Sequence, residues 1–302
     1  MDGIINVYKE AGFTSFDVVA KLRGILKQKK IGHTGTLDPD AEGVLPVCIG
    51  KATKICEYLT QKDKEYETVL RLGIATDTQD MSGTILKEQE VLLAEEEIPL
   101  LVQRFIGKQQ QIPPMYSALK VNGQKLCDLA RKGIEVERKA REIEIFSIKM
   151  LNVQMPRITL QVHCSKGTYI RTLCQDIGEA AGCGGCMEKL LRTKTGGFLL
   201  KDAYRLQEIE AIVKDADPRR RQLSDILISV DQVLEEYPRV DALAGTEKLL
   251  HNGGILAAEK TRQKEGFASG RLYRMYDAAG TFIGLFDYRA QRDAFWPEKM
   301  FL

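Results

Sequence analysis

Residues 3–8, Gly-Ile-Ile-Asn-Val-Tyr, read as an alternating strand. Thr14 followed by Asp17 has the spacing of a capping box, and it opens a helix with Val18, Leu22, Ile25 and Leu26 on one face. That helix runs out among Lys27, Lys29 and Lys30. Residues 31–43, Ile-Gly-His-Thr-Gly-Thr-Leu-Asp-Pro-Asp-Ala-Glu-Gly, have no period and contain three glycines and a proline, so they read as a loop leading into the apolar run Val44–Ile49. Further strands are expected at 64–72, 84–89, 141–151 and 158–165, and helices near 95–106 and 124–132. The order is mixed and does not alternate strand with helix. It therefore predicts an α+β fold with a mixed, largely antiparallel sheet flanked by helices. Between about 213 and 240 the helical pattern is broken by Asp215-Ala-Asp-Pro-Arg-Arg-Arg and then Tyr237-Pro238. Beyond it, strands at 271–276 and 281–288 flank the turn Asp277-Ala-Ala-Gly280. Two domains are expected, 1–235 and a small β-rich unit at 239–302.

Composition changes this picture little. Hydrophobic residues at 44% and charged residues at 28% exclude neither a globular enzyme nor a binding module, but they do argue against disorder. The formal charge of +2 hides an uneven distribution. Basic residues cluster at Lys27, Lys29 and Lys30, at Arg131 and Lys132, at Arg138, Lys139 and Arg141, and at Arg219–Arg221, against acidic runs at Glu95–Glu97 and at Glu208 and Glu210. A basic face for nucleic acid is one reading, and ordinary solvated helix faces are the other. The apolar runs fall far short of the roughly 20 residues that span a bilayer, and Met1-Asp2-Gly3 does not open a signal segment, so a cytoplasmic location is expected. Seven irregularly spaced cysteines fit reduced thiols better than a disulfide framework.

The loop at 31–43 is the densest chemical segment, with His33, Asp38, Asp40 and Glu42 among residues that permit tight geometry. Pro39 biases Asp38 to an extended conformation, and a carboxylate on so stiff a turn can be aimed into a cleft; an Asx-turn or a helix cap would use the same residues. Clustered carboxylates also suit a divalent cation, although the spacing matches no calcium loop. Gly43–Ala52 departs from a phosphate-binding P-loop in both spacing and its last residue. Cys183-Gly-Gly-Cys186 supplies two thiols where structural zinc needs four ligands, and a glycine-rich turn is the simpler role. Lys166–Leu173 joins a strand to a helix, which puts Tyr169 and Arg171 at the junction; Arg171 could pair with a distant carboxylate or form a surface salt bridge. Tyr66 shares a strand face with Thr68, Leu70 and Leu72, the position of a core tyrosine. With only three histidines, His33, His163 and His251, no hydrolytic triad assembles.

These segments resemble, in order, those of bacterial tRNA pseudouridine synthases of the TruB type. The match includes Asp2–Lys9 with Gly12-Phe-Thr-Ser15, Gly32–Pro46, Gly50-Lys-Ala-Thr-Lys54, Lys64-Glu-Tyr66, Gly73–Asp80, Pro113–Lys120 and Lys166–Leu173, and it extends over at least residues 2–198. The resemblance implies a pseudouridine synthase fold, no cofactor and no metal, and Asp38 as the catalytic aspartate. It further implies that Tyr66 stacks on the target uracil, that Arg171 orients and charges Asp38, and that Tyr169 and Leu190 line the uracil pocket. His33 would belong to the region that reshapes the T-loop, and Arg192 would contact phosphate. The implied partner is the T-arm of tRNA, bound by a monomer, with a PUA-like RNA-binding domain at 239–302. Three departures stand out: Glu10 where the family usually has proline, Cys127 where it usually has tyrosine, and Leu191 where it usually has a first arginine. The competing readings are a tRNA-binding folding factor without chemistry and a metal-dependent RNA hydrolase.

Overall fold

Strand β1 (Gly3–Lys9) is buried at six of its seven positions, so both of its faces need cover. In the computed structural model, which describes residues 1–302, Ile5 and Val7 meet Val18, Val19 and Leu22 of helix α1 (Ser15–Leu26). Ile4, on the other face, joins Val44, Cys48, Ala52 and Ile55. The expected capping box forms: the Asp17 N–H donates to Thr14 Oγ1 at 3.0 Å, and the Thr14 N–H donates to the Asp17 carboxylate at 2.8 Å. Strand β2 (Ile31–His33) then pairs with β3 (Glu42–Ile49). This corrects the expected loop, which shrinks to residues 34–41, because one buried residue, Ile31, is too few to declare a period.

After helix α2 (Cys56–Thr60), strand β4 (Lys64–Leu72) buries every second residue, Lys64, Tyr66, Thr68, Leu70 and Leu72, as its alternation predicts. Strands β5 (Ile74–Thr76) and β6 (Ile85–Glu88) form a separate hairpin, followed by helix α3 (Ile98–Gln103) and strand β7 (Gly107–Gln111). A short hairpin, β8 (Lys120–Val121) with β9 (Gln124–Lys125), precedes helix α4 (Leu126–Ala130). The long strands β10 (Arg141–Gln154) and β11 (Arg157–Cys164) lead into helix α5 (Ile170–Ala180). Strand β12 (Gly185–Thr195) and the short β13 (Phe198–Leu199) complete the main sheet. Its order is β1-β3-β12-β4-β11-β10-β7, antiparallel throughout except at β12–β3, where Leu191 pairs with Glu42 and Arg192 with Gly43 in parallel. Helix α5 covers this sheet by packing Ile170, Leu173 and Ile177 against Leu70, Leu160 and Val162. The glycine-rich turn expected at Cys183–Cys186 is present, with Gly182 and Gly184 at positive φ, and it leads directly into β12, the strand that the sequence pattern concealed.

Helix α6 (Leu206–Val213) lies on α1, and helices α7 (Leu223–Ile226) and α8 (Val230–Val233) cross to a second sheet. That sheet comprises β14 (Arg239–Asp241), β15 (Leu256–Ala257), β16 (Leu272–Tyr276), β17 (Phe282–Arg289) and β18 (Ala294–Met300), in the order β14-β16-β17-β18-β15. It has its own core around Tyr273, Met275, Phe286 and Phe295, with Phe267 set edge-on to Phe295 at 4.7 Å. It is also fastened to the first sheet, because Leu285 and Phe301 share an apolar cluster with Ile55, Leu59, Phe198 and Val230. No helix is long and apolar enough to cross a membrane.

Candidate active site

The loop at 34–41 is held from below. Lys9, fully buried, donates its ammonium to the carbonyls of Pro39 at 2.9 Å, Ala41 at 2.5 Å and Glu10 at 3.2 Å. Burial pushes this lysine down to about 8, against the pull of Asp38, Asp40 and Glu42. Ser15 Oγ accepts from the Leu37 N–H at 2.9 Å, and the Gly12 N–H donates to the Pro39 carbonyl at 3.0 Å. The loop closes onto β12 at Gly43, whose φ of +106° lies in the left-handed region. A Cβ there would sit 2.2 Å from the Arg192 carbonyl oxygen, so only glycine fits.

Asp38 is thereby presented to Arg171, two residues past the α5 N-cap Tyr169. Arg171 Nε lies 3.0 Å from Asp38 Oδ2, and Nη2 lies 3.2 Å from Oδ1. The Arg171 side chain is 5% exposed and that of Asp38 is 36% exposed, so the guanidinium is a buried anchor and the carboxylate is the accessible partner. Arg171 also donates to the Thr78 carbonyl at 3.0 Å and the Tyr116 carbonyl at 2.8 Å, with Asp80 at 3.6 Å. A guanidinium so fully occupied holds its carboxylate in one orientation. Burial pushes the Asp38 carboxyl above its ordinary value; Arg171 pulls it down, as the sequence argument expects, but burial wins and Asp80 adds to the rise.

Tyr66 on β4 is buried and stands opposite Arg192 across the β4–β12 pairing, and burial raises its phenol. The charge of Asp38 adds a little to that rise. Leu190, opposite Thr68, packs half-buried against the same apolar cluster. Tyr169 is fixed by Gln111, whose side-chain amide accepts from the Tyr169 N–H at 2.8 Å and donates to its carbonyl at 3.0 Å. Burial raises the Tyr169 phenol as well. His33 ends β2, its Nδ1 accepting from the Gly35 N–H at 3.3 Å; burial and then Arg192 push its protonation below the ordinary histidine range.

Arg192 requires correction. It is 1% exposed and spends its guanidinium on the carbonyls of Val44 at 2.7 Å and Gly35 at 3.2 Å, so it braces the loop from inside, a different place from the surface that a phosphate contact implies. Its parity on β12, the same as that of Leu190, turns it toward the core face of Tyr66. Sequence reading also missed Lys9, Asp80, Gln111 and the Thr78 and Tyr116 carbonyls. For Asp80 and the two carbonyls one signal was available: a buried arginine needs more acceptors than a single aspartate supplies. The departure at Glu10 has a local partner, Arg205 at 2.5 Å. Cys183 and Cys186 are both buried free thiols, and no group of three His, Cys, Asp or Glu side chains converges as a metal site requires.

Two family models match the chain. The N-terminal domain of TruB family pseudouridylate synthases covers residues 23–170, and the tRNA pseudouridylate synthase B C-terminal domain covers residues 171–235. Their seam falls inside α5 and separates Arg171 from the loop with which it pairs. Among relatives named tRNA pseudouridine synthase B, one from Lachnoclostridium phytofermentans is 50% identical over 100% of both chains. Another, from Clostridium acetobutylicum, is 45% identical over 94% of this chain and 95% of its own. Among solved structures, a chain of a Cbf5-Nop10-Gar1 complex aligns with a TM-score of 0.75 at 26% identity, covering 99% of this chain and 85% of that one. A chain of an H/ACA RNP bound to a substrate RNA containing 2′-deoxyuridine shares the fold, with a TM-score of 0.74 at 24% identity over 99% of this chain and 85% of that one. With half its residues shared end to end with one relative and both family models in register, the chain belongs to the TruB family of pseudouridylate synthases.

Proposed function

We propose that the protein is a tRNA pseudouridine synthase that isomerises the T-loop uridine at tRNA position 55, with Asp38 as its catalytic carboxylate. The observation that carries this reading is the asymmetric ion pair, a buried Arg171 aiming a partly exposed Asp38. The reaction breaks the bond from C1′ to N1, turns the detached uracil and joins C1′ to C5; the C5 proton is lost and N1 gains one. Atoms and electrons balance within the nucleotide, so the chemistry calls for no cofactor. An ionised Asp38 can attack C1′ or remove a ribose proton, and either route starts from the same carboxylate.

Tyr66 supplies a flat face against the freed ring, with Leu190 and Tyr169 as further walls. Its raised phenol stays protonated and neutral, which suits contact with an uncharged base. The target must leave its stack, at a cost of a few kcal/mol, and a neutral His33 at the end of β2 can occupy the vacated space without adding charge. The second sheet at 239–302 serves as a PUA-like surface for the tRNA, and the enzyme acts as a monomer in the cytoplasm. The test is to incubate the protein with unmodified tRNA and map pseudouridine by position. Conversion confined to position 55 is expected; the absence of any pseudouridine sinks the reading.

A further inference from the structure

Beside the Asp38 loop, on the far side of β2, lies a second concavity of about 620 Å³ between α1 and the turn that follows it. Its wall on α1 is a stripe at helical spacing, Phe16, Val19 and Arg23. Lys29 and Lys30 form the next wall, and His33 closes the end nearest Asp38. No acidic residue lines the cleft, and neither lysine forms an ion pair.

Phe16 is the telling residue. It is 62% exposed and belongs to none of the apolar clusters; the core face of α1 is made by Val18, Val19 and Leu22 instead. The Arg23 guanidinium lies 5.7 Å from the centre of its ring, which holds a flat aromatic surface in place with a cation beside it. An unburied ring with one cation beside it and two lysines without ion pairs in the same cleft is costly as structure and well suited to a nucleobase and its phosphates. The cleft is also continuous with the loop: His33 is hydrogen-bonded to Gly35, three residues before Asp38.

We propose that this cleft is a single-stranded RNA subsite, in which one base next to the target stacks on Phe16 while Lys29 and Lys30 take the flanking phosphates. The inference rests on the pseudouridine synthase reading for the identity of its RNA. A membrane surface is the poorer fit, because the site is concave and offers a single aromatic side chain for insertion.

The experiment uses the full chain with unmodified tRNA across a salt series. Lys29→Gln/Lys30→Gln removes two phosphate contacts, so the slope of log affinity against log salt should fall in magnitude by about 1.4, at roughly 0.7 per contact for a single strand. A control of the same charge change, Lys87→Gln/Lys149→Gln on other exposed strand positions, should leave the slope as in wild type. Phe16→Ala should weaken binding by roughly 5-fold or more with the slope intact, since stacking releases no counterions. It should also abolish the quenching of a 2-aminopurine placed next to the target uridine. All these positions are exposed, so the variants should fold, which circular dichroism checks. If both cleft variants bind tRNA with wild-type affinity and slope while wild type makes pseudouridine, the subsite is refuted and the proposed function stands. If wild type makes none, the function reading fails, and the salt slopes and quenching still decide whether RNA occupies the cleft. Unchanged tRNA affinity combined with loss of binding to phosphatidylserine vesicles would assign the cleft to lipid and overturn the proposal.

Discussion

Replacing Asp38 by asparagine separates chemistry from architecture, because the side chain keeps its size and loses its charge. In the fold, the change takes one partner from a guanidinium that is 5% exposed. Breaking a fully buried pair from one side costs about 3–5 kcal/mol. Two features reduce that figure here. Asp38 is 36% exposed, so solvent already screens the pair, and Arg171 keeps the Thr78 and Tyr116 carbonyls and Asp80. Burial had moreover raised the Asp38 carboxyl, so the ionised form was itself a burden that the amide relieves. The expected loss is about 1 kcal/mol, a fall in melting temperature of about 2 °C for a chain of this length. The expected loss of turnover is about 10⁴-fold or more, since the amide can neither form an ester nor accept a proton. Binding of tRNA should stay within about threefold of wild type, or tighten as one negative charge near phosphate disappears. The assay pairs filter retention of tRNA with pseudouridine formation and a thermal melt, on protein checked by mass for deamidation back to aspartate. Substantial turnover by the clean variant would refute the mechanism. Loss of binding together with turnover in a folded variant would make Asp38 a shaper of the cleft and leave the chemistry to another group.

Other outcomes follow from the same geometry. Activity should fall as pH drops through the Asp38 ionisation, with its midpoint above the ordinary carboxylate value because burial raises that group; a rate–pH profile with its acid limb at or below that value would contradict this. Lys9 has a folded-state value of about 8 against 10.5 unperturbed, so the folded chain binds fewer protons in that window and stability should rise with pH between them. Relative to Lys9→Met, wild type should gain about 3 kcal/mol across that range in denaturant melts, and equal slopes would contradict it. Turnover on unmodified tRNA should survive EDTA, and activity lost to the chelator and restored by one metal would count against a chemistry contained within the nucleotide. Deleting residues 239–302 uncovers Ile55, Leu59, Phe198 and Val230, so the fragment should melt lower and bind tRNA more weakly while still modifying an isolated T-arm. Undiminished tRNA affinity in a folded fragment would remove the RNA-binding role from the second sheet.

What the sequence disclosed depended on whether a residue's surroundings were local. The Thr14–Asp17 cap, the alternation of β4 and the turn at 277–280 are set by neighbours in the chain, and each is where the pattern puts it. Strand β12 was hidden because its register slips twice, between Met187 and Lys189 and between Arg192 and Lys194, which erases the two-residue alternation. Arg192 misled for a related reason: an arginine in a charged stretch reads as surface, and only its pairing opposite Tyr66 shows that it points inward. The Asp38–Arg171 pair rested on resemblance until the fold brought the two together. Lys9 and Gln111 carried no pattern at all, since each is defined by the backbone atoms of a distant segment that it holds.

The single parallel seam in the main sheet bears on when this protein can work during its own synthesis. The aspartate loop meets its arginine across 133 residues, and the Val44 carbonyl meets Arg192 across 148. A ribosome delivers the loop early and its braces late. Until β12 has emerged and inserted between β3 and β4, the loop lacks its Arg192 brace and Gly43 has nothing to lie against. A nascent chain long enough to expose the loop is therefore still without its braces, which arrive late, when the middle of the sheet closes.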